Sequence, residues 1–383
     1  MRHYLDHAAT TPMRPVAREA WLEASHRVGN ASSLHASGRS ARSLLEDARE
    51  RIGAALGAHP TEVILTSGGT EANNLAIKGA FWARRAKDPA RTRIVTTAVE
   101  HHAALDPVRW LASQQGAVAA ELPVDADARL LLDSLAAELD THVHLTALVS
   151  VQGVNNEVGT VQPVAEAVAL AAAQGIPVHS DAVQGIGHVP FDFAASGLAT
   201  AAVSGHKVGG PVGVGALLAL RDAALSPLTH GGGQERRLRS GTVDVAAAWA
   251  FAAALDDAVS GLDAEAQRVA ALGERLARAL ASASPGAVVH GPSQGAPHIV
   301  HAIIPGASSE ALLVALDLAG IEVSPGAACT AGVVEPSHVV LAMGGPEEHA
   351  LSTVRFSLGW SSTDADVDAA IDALAGAVAQ ARR

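Results

Sequence analysis

Thiol and primary-amine side chains are scarce in this chain, with one cysteine and three lysines among 383 residues. The cysteine is Cys329, in the run Ser324-Pro325-Gly326-Ala327-Ala328-Cys329-Thr330-Ala331-Gly332. A free cysteine is ordinarily buried as a small apolar group, whereas glycine, proline, serine and threonine mark an exposed loop. One thiol cannot close an intramolecular disulfide, and a metal cage needs several thiolates or imidazoles. The loop therefore holds a nucleophile or an accident of sequence. Of the lysines, Lys78 falls in a helical register and Lys87 precedes Asp88-Pro89, so both read as surface groups. Lys207 differs, because Ser204-Gly205-His206-Lys207 directly follows an apolar strand pattern.

Three further segments could serve that amine. Thr66-Ser67-Gly68-Gly69-Thr70-Glu71 runs from strand through glycine turn to helix start. Exposed N–H groups and the positive helix end there suit a phosphate; the plainer alternative is a helix capped by Thr70. Asp181-Ala182-Val183-Gln184 also follows an apolar strand. Its carboxylate can pair with a protonated ring nitrogen and its amide can donate to a ring hydroxyl oxygen, or the two can be a capping Asp and a solvated Gln. Arg239-Ser240-Gly241-Thr242 is a polar loop, or a loop that offers the Thr242 hydroxyl to a phosphate. A lysine near a phosphate seat and an aspartate is what pyridoxal 5′-phosphate requires. The amine forms a Schiff base, and the carboxylate keeps the pyridine nitrogen protonated so that the ring accepts electrons.

The elements that must position these groups alternate. Helical patterns over 39–56, 71–85, 104–115 and 164–174 are interleaved with strand patterns at 62–66, 94–96, 144–151, 177–181, 200–203 and 216–220. Such alternation predicts a mostly parallel sheet covered by helices, with ligands beyond the carboxyl ends of the strands. Past residue 245 one long helix is expected over 246–283. Strands at 287–290, 298–304 and 354–358 follow, with a helix at 309–319 and a last helix capped by Thr363 with Asp366 three residues on. This divides the chain into a large domain, 14–250, and a smaller α+β domain of 1–13 with 251–383. In Val354-Arg355-Phe356-Ser357-Leu358 the apolar side chains alternate with Arg355, which must point away from their face. A guanidinium buried there needs a partner, a bound carboxylate or an internal Asp or Glu.

Composition bounds the function. The hydrophobic fraction of 49% fits a large core, and a formal net charge of −12 argues against nucleic-acid binding. The N-terminal residues lack the apolar stretch of a signal peptide, and one cysteine fits a reducing cytoplasm. The glycine run Gly210–Gly215 lacks the spacing of a nicotinamide fingerprint, and the 18 histidines show no metal-ligand spacing.

Nearly the whole chain, from Tyr4-Leu5-Asp6-His7-Ala8-Ala9-Thr10-Thr11 to Arg355-Phe356-Ser357-Leu358-Gly359, resembles the cysteine desulfurases in the NifS/IscS branch of the class V aminotransferases. The resemblance runs through Gly29-Asn30-Ala31-Ser32-Ser33, Ser67–Asn74, Val154-Asn155-Asn156-Glu157-Val158-Gly159-Thr160 and Glu335-Pro336-Ser337-His338-Val339. It implies the fold-type I architecture of pyridoxal phosphate enzymes, a seven-stranded sheet plus a small domain that carries the cysteine loop. It implies conversion of L-cysteine to L-alanine, with sulfur left as a persulfide on Cys329 for iron–sulfur cluster assembly, thio-cofactors or tRNA thiolation. Lys207 would then be the Schiff-base lysine, Asp181 the partner of the pyridinium nitrogen and Gln184 that of the ring hydroxyl oxygen. Gly69, Thr70, Ser204 and His206 would hold the phosphate, with Thr242 reaching in from the other subunit of a homodimer. His101 would stack on the ring, while Asn156 and Arg355 would engage the substrate carboxylate. Departures from the usual pattern fall at His7, Ala31, Gly209 and Val212. The rival readings are a selenocysteine lyase or cysteine-sulfinate desulfinase on the same fold, and a non-catalytic sulfur-relay subunit.

Overall fold

The computed structural model describes residues 2–293, 295–326, 329–330 and 333–382; of residues 329–330 and 333–334 it describes the backbone. A seven-stranded sheet dominates. Its strands in chain order are β1 (Val63–Thr66), β2 (Arg93–Thr97), β3 (Val118–Leu122), β4 (Thr146–Ser150), β5 (Val178–Asp181), β6 (Thr200–Ser204) and β7 (Gly215–Ala219). They lie in the order β1-β7-β6-β5-β4-β2-β3, and β7 alone runs against the rest. Every residue of β1, β4, β5, β6 and β7 is buried. These strands therefore read as near-continuous apolar or small runs, as expected of a sheet covered on both faces.

Helices α1 (Gly69–Lys87) and α2 (His102–Gln115) start beyond the carboxyl ends of β1 and β2. The expected helix over 246–283 is two helices, α3 (Val245–Ser260) and α4 (Leu262–Ala283), bent by 72°. The break falls at Gly261, one of two glycines in that stretch, the other being Gly273 inside α4; glycine has a weak helical preference. Asp263 and Glu265 then occupy the first turn of α4, where the helix dipole favours acidic groups. Arg14, almost fully buried, spans the bend: it pairs with Asp257 at 2.8 Å on α3 and Glu265 at 2.9 Å on α4. Asp244 caps α3, and Thr363 with Asp366 forms the expected capping box on the helix Asp364–Ala381.

A second core gathers Leu5, Val269, Leu276, Val300, Phe356 and Leu374, among others, around the antiparallel strands β8 (Val288–His290), β9 (Ile299–Ile303) and β10 (Thr353–Ser357). Ala252, Ala254, Leu255 and Ala258 of α3 belong to the larger core, beyond the boundary drawn from the sequence at residue 250. Residues His3–Tyr4 pair in parallel with Ile321–Glu322, so the N-terminus is tied to the second core. Among the described residues no single helix is long and apolar enough to cross a membrane.

Candidate active site

Five strand ends meet around a cavity of about 260 Å³. Gly69 and Thr70 reach it from the start of α1, His101 from the end of β2, and Gln152, Val154 and Asn156 from the loop after β4. Asp181, Val183 and Gln184 come from the end of β5, and Ser204, His206 and Lys207 from the end of β6. Asn73, one turn into α1, and Ala103, in the first turn of α2, complete the lining. The sequence reading of Lys207, Asp181, Gln184, His101, Asn156, Gly69, Thr70, Ser204 and His206 therefore converges on one space. It missed Asn73, Ala103, Gln152, Val154 and Val183.

The glycine turn does what a phosphate seat needs. Thr70 does not cap α1, contrary to the plainer alternative; the N-cap is Gly68, and among the described residues no side chain caps the helix. The first-turn N–H groups thus keep their capacity for an anion. Gly215 of β7 lets the turn lie close: a Cβ there would sit 2.5 Å from the Val203 oxygen and 2.7 Å from Gly68 Cα.

Lys207 follows β6 in a single turn of 3-10 helix. Its Nζ donates to the carbonyls of Ala8 at 2.5 Å and Ala9 at 2.8 Å. Burial, reinforced by the positive charge of Arg355 and opposed by Asp6 and Asp181, pushes its pKa down to about 8. The neutral amine, which is the nucleophile, is thus accessible near neutral pH. Asp181 accepts from Asn73 Nδ2 at 2.7 Å and from the Val183 N–H at 3.0 Å. Gln184 donates to the Ala8 carbonyl at 2.7 Å. His101 accepts the Ala103 N–H on Nδ1 at 3.0 Å, so the proton of its neutral ring sits on Nε2. Desolvation lowers the pKa of this imidazole, partly countered by Asp181. His206 lies 3.1 Å from Thr10 Oγ1, and desolvation followed by the Lys207 charge lowers its pKa to about 4.

Arg355 turns away from Val354, Phe356 and Leu358, as the alternation required, and is buried. The internal carboxylate is present: Arg355 donates to Asp6 Oδ1 at 2.8 Å, and its other arm to the Asn156 carbonyl at 2.8 Å. Its Nε has no hydrogen-bond partner among the described residues. Arg355 is not itself among the lining residues; it contacts the backbone carbonyl of Asn156, which is. Thr242 is exposed and does not line the cavity of its own chain. Residues Cys329–Thr330 form a two-residue strand with Val333–Val334, and the thiol of Cys329 lies outside the described side chains. Lys87 is exposed, as its surroundings in sequence predicted, whereas Lys78 is half-buried and stands over the Trp110 ring at 4.4 Å.

An amine of lowered pKa, a carboxylate held by two donors, an uncapped helix start with nearby hydroxyls and an imidazole all face one cavity. Pyridoxal 5′-phosphate needs these groups for its carbonyl carbon, ring nitrogen, phosphate and ring face. The donor set fits.

Comparison with known proteins agrees. A family description, aminotransferase class V, matches residues 3–370. The chain is 52% identical over 383 residues to an IscS-like cysteine desulfurase of Mycobacterium tuberculosis, which covers 99% of this chain and 97% of the relative. It is 39% identical over 373 residues to cysteine desulfurase IscS of Dictyoglomus turgidum, covering 97% of this chain and 93% of that one. A solved NifS-like protein from Rickettsia africae superposes with a TM-score of 0.88 at 31% identity, over 98% of this chain and 99% of the other. The chain belongs to the pyridoxal phosphate-dependent class V aminotransferase family, among its IscS- and NifS-like cysteine desulfurases.

Proposed function

We propose that the cavity converts L-cysteine to L-alanine and leaves the sulfur on Cys329 as a persulfide. The observation that carries this reading is the convergence of Lys207, Asp181, His101 and the uncapped start of α1 on one space. Lys207 would hold pyridoxal phosphate covalently, Asp181 its ring nitrogen and Gln184 its ring oxygen. Gly69, Thr70, Ser204 and His206 would hold its phosphate, with Thr242 from a second copy of the chain. Exposure of Thr242, and of apolar Val28, Leu34 and Val212, supports a homodimer. When bound, the cofactor supplies an electrophilic carbon and a ring that takes up electrons from the substrate's α-carbon.

The chain's own groups do the rest. Arg355 binds the substrate carboxylate through parallel N–H bonds, in exchange for part of its contact with Asp6, and Asn156 borders the same place. Lys207 Nζ takes the substrate's α-proton once neutral. His101, with its proton on Nε2, would cover the ring face and could pass a proton there. The Cys329 thiolate attacks the substrate sulfur; the S–S bond forms as the C–S bond breaks, and the carbon keeps the bonding pair and is protonated to alanine. A persulfide then needs an acceptor protein, such as an iron–sulfur scaffold or a thiolation enzyme. A lone cysteine fits the reducing cytoplasm for this task.

Incubation with L-cysteine tests the reading by alanine release and by the mass of the Cys329 peptide. Lys207→Ala abolishes the visible band of the lysine-linked cofactor. Cys329→Ala keeps that band and loses alanine and sulfide production; full turnover by this variant refutes the persulfide step.

A further inference from the structure

Behind Asp181 lies a buried chain of side chains that none of the roles above uses. Asp181 accepts from Asn73 Nδ2 at 2.7 Å. A carboxylate only accepts, so the amide nitrogen of Asn73 must face it and the amide oxygen must face back. That oxygen lies 2.8 Å from His179 Nε2. It too can only accept, so Nε2 carries the ring proton. Burial pushes the pKa of His179 down to about 3, which keeps the ring neutral, and Nδ1 is then an acceptor. Its partner is the Thr200 hydroxyl at 2.9 Å, which must donate. The three bonds all run one way, from Thr200 through His179 and Asn73 to Asp181.

Sheet geometry makes this chain possible. His179 and Asp181 are two residues apart on β5 and share a face. Thr200 is the register partner of His179 on β6, and Asn73 meets both from α1. Asn73, His179, Thr200 and Asp181 are all buried. Together with the Val183 N–H on the other oxygen, the chain fixes a carboxylate whose terminal torsion is otherwise soft. Aligned donors in a low-dielectric interior also polarise one another.

We propose that Asn73, His179 and Thr200 are positioning residues that aim Asp181 at the cofactor's ring nitrogen and set its strength as an acceptor. The proposal rests on the cofactor reading above. A merely structural role would satisfy the same polar groups without affecting cofactor binding.

Two measurements on the full chain separate these cases. In ¹⁵N-histidine-labelled, cofactor-free protein, NMR is expected to show His179 neutral with its proton on Nε2, the signal being assigned by its loss in His179→Gln. A charged ring, or a proton on Nδ1, overturns the proposal. Equilibrium dialysis against pyridoxal phosphate, followed by the visible band, supplies the second measurement. Loss of a hydrogen bond to a charged group predicts that Asn73→Leu weakens cofactor retention roughly ten- to a hundredfold. His179→Leu, one link further back, is expected to weaken it about three- to tenfold. Both shift the visible band. His179→Gln, whose side-chain amide can donate to Asn73 Oδ1 in place of Nε2, restores retention and band position. Folded leucine variants with wild-type retention and band, or a glutamine variant as impaired as His179→Leu, refute positioning alone. A wild-type chain that takes up no pyridoxal phosphate overturns both this proposal and the cofactor reading.

Discussion

Glu100 gives a prediction that follows from burial and sign alone. It precedes His101, is fully buried, and accepts on Oε1 from Thr97 Oγ1 at 2.8 Å and from the Gln152 N–H at 2.9 Å. Its Oε2 has no partner among the described residues. Burial, reinforced by the nearby Asp181 charge, pushes its pKa up from the ordinary 4.5 to about 8, although both donors work the other way. Below pH 4.5 the folded and unfolded chains both carry this proton. Between 4.5 and about 8 only the folded chain keeps it, so stability falls as pH rises through that window. At about 1.4 kcal/mol per pH unit, the loss by pH 8 approaches about 5 kcal/mol. Glu100→Gln keeps an acceptor for both donors and cannot ionise. Its stability relative to wild type should therefore be near zero at pH 4.5 and grow to about 5 kcal/mol above pH 8. Urea unfolding of both proteins across this range reads the difference, in which other titrating groups cancel. A difference that stays flat, or that favours wild type at high pH, refutes a protonated Glu100.

Three further outcomes are expected. Lys207, with a pKa of about 8, is half neutral at pH 8, where an ordinary lysine is less than about 1% neutral; in the cofactor-free protein an aldehyde reagent should label it ahead of Lys78 and Lys87, as peptide mapping will show. Arg355→Lys loses the parallel geometry for a carboxylate, so KM for L-cysteine should rise by roughly tenfold or more, with kcat less affected, in steady-state kinetics. Arg14→Met removes the cation between Asp257 and Glu265 and the Nε bond to the Val208 carbonyl at 3.0 Å; a stability loss of roughly 3 kcal/mol is expected in urea unfolding.

Strand ends and turns were legible because their signals are local. Asp181 and Lys207 each follow a short apolar run, and Gly68-Gly69 announces the turn before α1. Strand β3 was not read, because Val118-Ala119-Ala120-Glu121-Leu122 carries little β-branched character and has partly exposed residues on this edge of the sheet. The helix Leu132–His142 lies outside the expected pattern, and the apolar run across Ser260-Gly261 hides the bend. Asn73 is quoted in the family motif but shows nothing of its partner, which lies 108 positions away. His179 reads as one more apolar-strand residue until β6 is placed beside it. Buried polar pairs made across the sheet leave no periodic trace, so sequence shows where groups emerge and not what stands behind them.

The N-terminal segment ties the amine of Lys207 to the guanidinium of Arg355. The carbonyl of Ala8 accepts from both Lys207 Nζ and Gln184 Nε2. Two residues earlier, Asp6 holds Arg355 on β10, and the N–H groups of His7 and Ala8 bond to Ser357. Further on, the Thr11 N–H donates to the His206 carbonyl, and the Arg14 N–H to that of Gly209. Residues 6–14 thus join the end of β6, which bears the lysine, to the strand of the second core that bears Arg355. Neither core alone fixes the amine against the guanidinium. His7, one of the departures from the family pattern, sits inside this strap, fully engaged with Thr11 Oγ1 at 2.6 Å and Ser362 Oγ at 3.2 Å. Burial holds its pKa at about 4, so it acts as a neutral brace at physiological pH. Because the carbonyl of Ala8, the next residue, accepts from both Lys207 and Gln184, a substitution at His7 is expected to disturb the two together.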